Sequence, residues 1–153
     1  MNVQEKIVPD HKIAVMKHKG SLSDMEVMIS KLTGWVEDKE IKTIGDYFVI
    51  FYRMPDRVKE DDVVYDLGVP ISDDEVDKTP EIDIADMVEH TVLSGIHQGS
   101  RDNIRESYDE MIEFAEVNHY DIIGSPKEIF LNSPFEVEEK DCLREIQLPV
   151  IKM

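Results

Sequence analysis

Across 153 residues there is a single cysteine, Cys142. An internal disulfide is therefore impossible, and nothing calls for an oxidising compartment. Cys142 stands in the run Asp141-Cys142-Leu143, where a small buried side chain is expected rather than a nucleophile. Long apolar runs are missing too. No stretch approaches the roughly 20 residues of a membrane span, and Met1-Asn2-Val3-Gln4-Glu5-Lys6 has no apolar signal region. A cytoplasmic setting with no membrane partner is expected. Positive charge is scarce: 17 Lys and Arg stand against 34 Asp and Glu, for a net charge of −17. The deficit grows along the chain, from net −6 over residues 1–79 to net −11 over residues 80–153. Such a field repels phosphate backbones and anionic lipids, so direct contact with nucleic acid is not expected. It serves solubility or the local concentration of cations, the latter screened within about 8–10 Å.

Signatures of catalysis and metal binding are equally sparse. The five histidines show no H-x-x-x-H, HExxH or Cys/His spacing, and there is no glycine-rich phosphate loop and no G-x-S-x-G elbow. No metal or cofactor is expected. What the chain does have is 41% apolar residues, enough for a core in a chain of one domain's length.

It also repeats itself. His18-Lys19-Gly20-Ser21 returns as His97-Gln98-Gly99-Ser100, an offset of 79 residues. At that offset Trp35 meets Phe114, Gly45 meets Gly124, Ile50-Phe51 meets Ile129-Phe130, Pro55 meets Pro134 and Pro70 meets Pro149. From Ile13/Val92 to Ile71/Val150, 13 of 59 pairs are identical. The matches gather at aromatic, glycine and proline positions, where backbone and packing demands are strict. The chain reads as two copies of one unit, about 3–71 and about 82–150, joined by an acidic linker at 72–80.

Each copy carries the same order of elements. In the first, Val3–Val8 and Lys12–His18 read as strands, and Ser23-Asp24-Met25-Glu26 is a capping-box pattern opening a helix. Met25, Met28, Ile29, Leu32, Trp35 and Val36 then form one apolar stripe. Tyr47–Tyr52 and Val63–Val69 read as further strands. In the second copy Ile82–Ile84 and Met87–His97 are predicted strands, and Gly99-Ser100 introduces a helix with the stripe Ile104, Tyr108, Met111, Ile112 and Ala115. Pro126–Leu131 and Leu143–Ile151 follow as strands. The expected fold is α+β: a tandem duplication of a strand-helix-strand-strand unit, an antiparallel sheet with two helices on one face, and a cleft at the pseudo-twofold seam, a usual place for a small-molecule pocket.

Positions where the copies differ in chemistry are the first functional candidates. Alternation places Ile129 and Leu131, with Ile50 and Tyr52, on a face apolar in both copies, expected under the helices. Pro126, Glu128 and Phe130 share the opposite face, matched by Tyr47, Val49 and Phe51. Glu128 is the odd member, a carboxylate opposite Val49. It is either solvated or held in a cleft for a cation. Tyr47 and Phe51 share its face by the repeat. Trp35, Phe114 and Tyr108 lie on helical stripes, where packing is the default and the Tyr108 hydroxyl needs a partner if buried. His18 and His97 are mates that end strands before a glycine turn, and Glu136–Asp141 reads as a solvated loop.

On these residues the chain resembles the GyrI-like (gyrase-inhibitor-like) small-molecule-binding domain family, which also supplies the effector-binding part of bacterial multidrug-responsive transcription activators. The resemblance rests on His97-x-Gly99 followed by Tyr108 and Phe114, on Glu128-Ile129-Phe130-Leu131-Asn132-Ser133-Pro134, and on Gln147-Leu148-Pro149-Val150. Gly45-Asp46-Tyr47 and Pro55-Asp56 are its landmarks in the first half. It implies a shared cleft with Glu128 at the base, binding lipophilic cations between aromatic walls supplied by Tyr47, Phe51, Tyr108, Trp35, Phe114 and Phe130. Some members of the family hydrolyse cyclopropane-bearing toxins, and others inhibit DNA gyrase or sequester drugs. Two departures stand out. The usual G-P-Y helix entry is Gly99-Ser100-Arg101, which puts positive charge near the cleft mouth, and Phe114 replaces a tryptophan. The chain begins almost at its first strand, so a helix-turn-helix domain ahead of it is not expected.

Three readings follow. The leading one is a stand-alone module that binds amphipathic, cationic small molecules for sensing, sequestration or effector binding. The second is a hydrolase of electrophilic toxins, with Glu128 raised in pKa by a dry pocket and acting as acid or base. The third is an acidic, protein-interacting inhibitor of a nucleic-acid enzyme.

Overall fold

Two 14-residue helices, Met25–Asp38 (α1) and Ile104–Val117 (α2), begin 79 residues apart, and four pairs of strands begin at that same spacing. The strands are Gln4–Val8 (β1), His11–Lys19 (β2), Phe48–Arg53 (β3), Val64–Ile71 (β4), Asp83–Met87 (β5), His90–Gln98 (β6), Tyr120–Ile122 (β7), Lys127–Phe130 (β8) and Leu143–Lys152 (β9). The computed structural model describes residues 1–72, 76 and 79–153, so most of the expected linker, 73–75 with 77 and 78, lies outside the described residues. With α-helices and purely antiparallel pairs among the described strands, the class is α+β.

The chain divides into two units, Pro9–Val88 and Met1–Val8 with Glu89–Met153. They do not coincide with the two sequence copies, because the leading strand of each copy pairs in the other unit. In Pro9–Val88 the order is β3-β4-β2-β5, and β5 lies along β2 with Ala14 opposite Ile84. In the unit of Met1–Val8 and Glu89–Met153 the order is β8-β9-β6-β1, and β1 lies along β6 with Lys6 opposite Val92. β7, three residues paired with the end of β9, is an addition that the periodicity did not predict.

The helices form where the stripes foretold. Met25, Met28, Leu32 and Trp35 are buried on α1, and Ile104, Tyr108, Met111 and Ala115 on α2. Their starts differ from the expected capping box. Ser21, not Ser23, is the cap: its Oγ accepts from the Ser23 N–H at 3.1 Å and opens a short 3-10 turn, Leu22–Asp24, that leads into α1. Ser100 does the same for the turn Arg101–Asn103 ahead of α2, accepting from the Asp102 N–H at 3.1 Å. A helix that starts with an orphaned N–H gains from such a cap wherever it falls.

The faces of β3 and β8 are the reverse of the expectation. Val49 and Phe51 are fully buried, whereas Ile50 is half-buried and Tyr52 exposed. Likewise Glu128 and Phe130 are buried, whereas Ile129 is half-buried and Leu131 exposed. The helix lies on the side of Val49 and Phe51: Phe51 is opposite Tyr65, whose hydroxyl reaches the Met28 Sδ of α1 at 3.5 Å. In the other unit Glu128 reaches Tyr108 of α2. The carboxylate thus sits beneath a helix, among residues that form a core in the first copy.

Candidate functional site

Glu128 has no exposed side-chain surface. An isolated carboxylate cannot stay ionised in such a place, and donors must replace its lost water. The local chain supplies them from three elements. β9 runs antiparallel to β8 with Arg144 opposite Phe130, which brings the Arg144 guanidinium over Glu128 and its Nη1 to 3.0 Å from Oε1. The stripe of α2 points Tyr108 down, and its hydroxyl donates to Oε2 at 2.6 Å. The 3-10 turn ahead of α2 carries Arg101, whose Nη1 and Nη2 donate to Oε1 and Oε2 at 2.5 and 3.2 Å in a two-pronged fork. Two cations and a phenol therefore enclose one anion.

Burial pushes the Glu128 carboxyl up, but the guanidinium of Arg101, then that of Arg144 and the Tyr108 hydroxyl, outweigh it and hold the group below the ordinary carboxylate range. The raised pKa expected of an acid catalyst is not found, because the buried carboxylate has two guanidinium groups beside it. Tyr108 moves the opposite way: burial first, then the adjacent carboxylate, raise its pKa, so the phenol stays protonated and remains a donor. Arg144 also lies over the Phe130 ring, 5.5 Å from its centroid, while its Nε is buried with no hydrogen-bond partner. Phe130 is thus tied to the site through Arg144.

The other expected residues have surroundings of their own. Phe114 is half-buried and stacks on Tyr120 at 6.3 Å, away from the partners of Glu128. Tyr47, Phe51 and Trp35 belong to the unit Pro9–Val88. There the Tyr47 hydroxyl accepts from Thr33 at 3.0 Å, Phe51 meets Tyr65 edge-on, and Trp35 is buried with its Nε1 unpartnered. The two histidine mates take separate tasks: His18 Nε2 pairs with Asp24 at 2.8 Å, and His97 is buried between Ser107 Oγ and the Ser100 carbonyl. Cys142 is buried.

A second polar group escaped the sequence reading. On the opposite face of β9, Glu145 Oε2 accepts from Lys6 at 3.0 Å, Ser94 at 2.9 Å and Gln147 at 2.7 Å. Burial raises its pKa, but the donors from Gln147, Lys6 and Ser94 hold it below the usual range. Lys127, opposite Gln147, is itself buried, and desolvation lowers its pKa to about 8 against the opposing pull of Glu145. Arg144 was missed as well. The signal was present: at the 79-residue offset it faces Tyr65, as Arg101 faces Leu22 and Tyr108 faces Ile29.

The site is thus an ionised carboxylate buried under a helix of an α+β fold. The family model for the GyrI-like small molecule binding domain matches residues 1–151, and the chain belongs to that family. It is accordingly a small-molecule-binding domain. No protein of curated function matches it in sequence. Among solved structures it is similar to the EcmrR C-terminal domain, at 18% identity and TM-score 0.84, covering 99% of this chain and 98% of that one. Against the EcmrR chain in a complex with DNA it spans 58% of the length. It is also similar to a hydrolase from Listeria innocua, at 12% identity and TM-score 0.75, covering 97% and 91%. A third similar structure is SAV2435 bound to tetraphenylphosphonium, at 10% identity and TM-score 0.62, covering 99% and 94%. At these identities the likeness establishes the fold.

Proposed function

We propose that the chain binds amphipathic small molecules carrying positive charge, and that Glu128 is the group that recognises the charge. The observation that carries this reading is a fully buried carboxylate kept ionised by cationic donors. Such a group holds a cation that displaces one of its cationic partners, and Phe130 and Tyr108 offer aromatic surface beside it, worth roughly 0.5–2 kcal/mol per cation contact. Membership of a small-molecule-binding family supports it, as does the tetraphenylphosphonium in SAV2435. We place the module in the cytoplasm, sensing or sequestering several such compounds, with any effect on transcription exerted through another protein. A hydrolytic acid role for Glu128 has no comparable support, since its proton is held too weakly for donation near neutral pH.

Fluorescence titration of a lipophilic cationic dye into wild type and Glu128→Gln, at low and high salt, tests the reading. Micromolar binding that resists salt and weakens at least tenfold in the variant is expected. Equal binding to both proteins, or to neither, overturns it.

A further inference from the structure

The carboxylate of Glu128 is already occupied, and the way it is occupied restricts what can replace the occupant. A carboxylate offers about four lone-pair directions. Here all four are filled by N–H or O–H donors: Arg101 Nη1 and Arg144 Nη1 on Oε1, Arg101 Nη2 and Tyr108 Oη on Oε2. Arg101 alone supplies two of them, one to each oxygen, through one planar fork. It is also the most accessible donor. Its side chain is 22% exposed, against 13% for Arg144, and Tyr108 is buried within α2. Arg144 and Tyr108 are built into β9 and α2, whereas Arg101 rides on the single turn Arg101–Asn103, entered through Gly99 at φ 117°, a backbone conformation that side chains avoid.

We infer, on the reading proposed above, that Arg101 is the resident cation of this site, and that the guests able to replace it are amphipathic amidinium or guanidinium compounds. A planar amidinium presents two parallel N–H groups, one for each oxygen, and restores all four hydrogen bonds when Arg101 swings out to water. A quaternary phosphonium or ammonium carries charge but no N–H. In Arg101's place it covers the carboxylate while leaving one direction on each oxygen empty, and a buried acceptor without a donor is costly. The fork of the guest replaces the fork of Arg101, and the apolar body of the guest supplies the gain that favours the exchange. In the first copy the residue at the place of Arg101 is Leu22 and that at the place of Glu128 is Val49, so this device belongs to the second copy alone.

The test compares two probes, a fluorescent diamidinophenylindole dye and tetraphenylphosphonium, on wild type, Arg101→Leu, Arg101→Lys and Glu128→Gln, with folding followed by circular dichroism. On wild type the amidine binds at least tenfold more tightly than the phosphonium. Arg101→Leu, which removes the competitor, tightens amidine binding by a further tenfold or more. Arg101→Lys, which keeps the charge but loses the fork, tightens it by less and carries the competition test if the leucine variant does not fold. Glu128→Gln loses the preference for the amidine. A phosphonium that binds wild type as tightly as the amidine overturns the inference while leaving the cation reading intact. So does amidine affinity indifferent to both Arg101 substitutions. Failure of both probes to bind wild type and both Arg101 variants removes the cation reading, and this inference with it.

Discussion

The two copies place the same elements at the same spacing but fill one set of positions with opposite chemistry. Arg101, Tyr108, Glu128 and Arg144 in the second copy correspond to Leu22, Ile29, Val49 and Tyr65 in the first. Val49 and Tyr65 are fully buried core residues, and Glu128 is buried just as completely. Made one at a time, the exchanges that bring charge to the fully buried places of Val49 and Tyr65 would be ruinous, because a buried charge without its partners costs several kcal/mol. Together they are tolerated, since every acceptor of Glu128 finds a donor. A polar cluster under a helix is therefore a unit that enters or leaves a fold whole. The neighbouring row behaves likewise. Phe48 faces Gly68, where an added Cβ would come within 2.6 Å of the Phe48 ring, and the corresponding pair is Lys127 facing Gln147. Bulk against nothing in one copy becomes donor against amide in the other.

The sharpest way to break this comparison is to move one member alone. Val49→Glu places a carboxylate in a buried position with Leu22, Ile29 and Tyr65 where the second copy has Arg101, Tyr108 and Arg144, so no cation stands at the corresponding positions, and a loss of more than about 4 kcal/mol or failure to fold is expected. Glu128→Val strands Arg101 and Arg144 and costs about 3–5 kcal/mol. Adding Arg101→Leu, Tyr108→Ile and Arg144→Tyr to it recreates the set of the first copy and recovers most of that loss, since replacing a whole buried ionic cluster with apolar groups is often neutral or stabilising by about 1–4 kcal/mol. Urea unfolding of the three proteins measures this. A quadruple variant no more stable than Glu128→Val would show that the four positions are not one unit.

A milder contrast lies on the opposite faces, where Asp66 and Glu145 are mates. Both are buried, yet their pKa values move apart. Glu145 is held below the usual range by the donors it gathers, once these offset burial. Asp66 is raised by burial, which its hydrogen bond from Tyr52 at 2.7 Å and the charge of Lys17 do not overcome. The signs follow by linkage. A lowered carboxyl binds fewer protons in the folded state, so the stability due to Glu145 is present above its unfolded pKa of about 4.3 and lost as pH falls through the folded value. A raised carboxyl binds more, so stability due to Asp66 is present below its unfolded pKa of about 3.9 and lost as pH rises through the folded value. Near neutral pH, Glu145→Gln is expected to cost about 1–3 kcal/mol, since it weakens hydrogen bonds to a charged acceptor. Asp66→Asn is neutral or stabilising by less than about 1 kcal/mol. Both differences from wild type shrink as pH falls through the carboxyl range. Unfolding curves in which both variants shift the same way near neutral pH would contradict the opposed environments.

These contrasts also explain what the sequence could disclose. The 79-residue offset located the helices and most strands, because stripes at three- and four-residue spacing and recurrent glycine and proline positions are local signals. It singled out Glu128 as well, as a charge opposite a valine. The facing of the strands was another matter. Val49, Ile50, Phe51 and Tyr52 are apolar on both sides, so period-two alternation had no contrast to use. The only contrast was Glu128 itself, and it pointed to the wrong face, because the arginines that make its burial possible stand 27 and 16 residues away in the chain. Arg144 looked like an ordinary strand residue until β8 and β9 were paired. The exchange of leading strands was illegible for the same reason: β1 and β5 fit either unit by composition, and only register decides.

A near-zero net effect is expected where Trp35 takes the residue of its mate Phe114, the one aromatic pair at which the second copy is the simpler. Trp35 is buried with its Nε1–H unpartnered, so it contributes apolar area while carrying a donor that has lost its water. Truncation to alanine removes the whole ring and is expected to cost about 3–5 kcal/mol, as for a large aromatic in a core. Trp35→Phe, the residue of the second copy, removes the orphaned donor together with part of the ring. Relief of a buried unsatisfied group, about 1–3 kcal/mol, then opposes the loss of packing. The two nearly cancel, and a net change within about 1 kcal/mol is expected. Thermal or urea unfolding of the two variants against wild type separates these cases. A penalty for phenylalanine approaching that for alanine would mean that the indole is held by its shape alone and that its N–H costs nothing, which would set Trp35 apart from the buried polar groups around Glu128, whose donors are all satisfied except the Arg144 Nε.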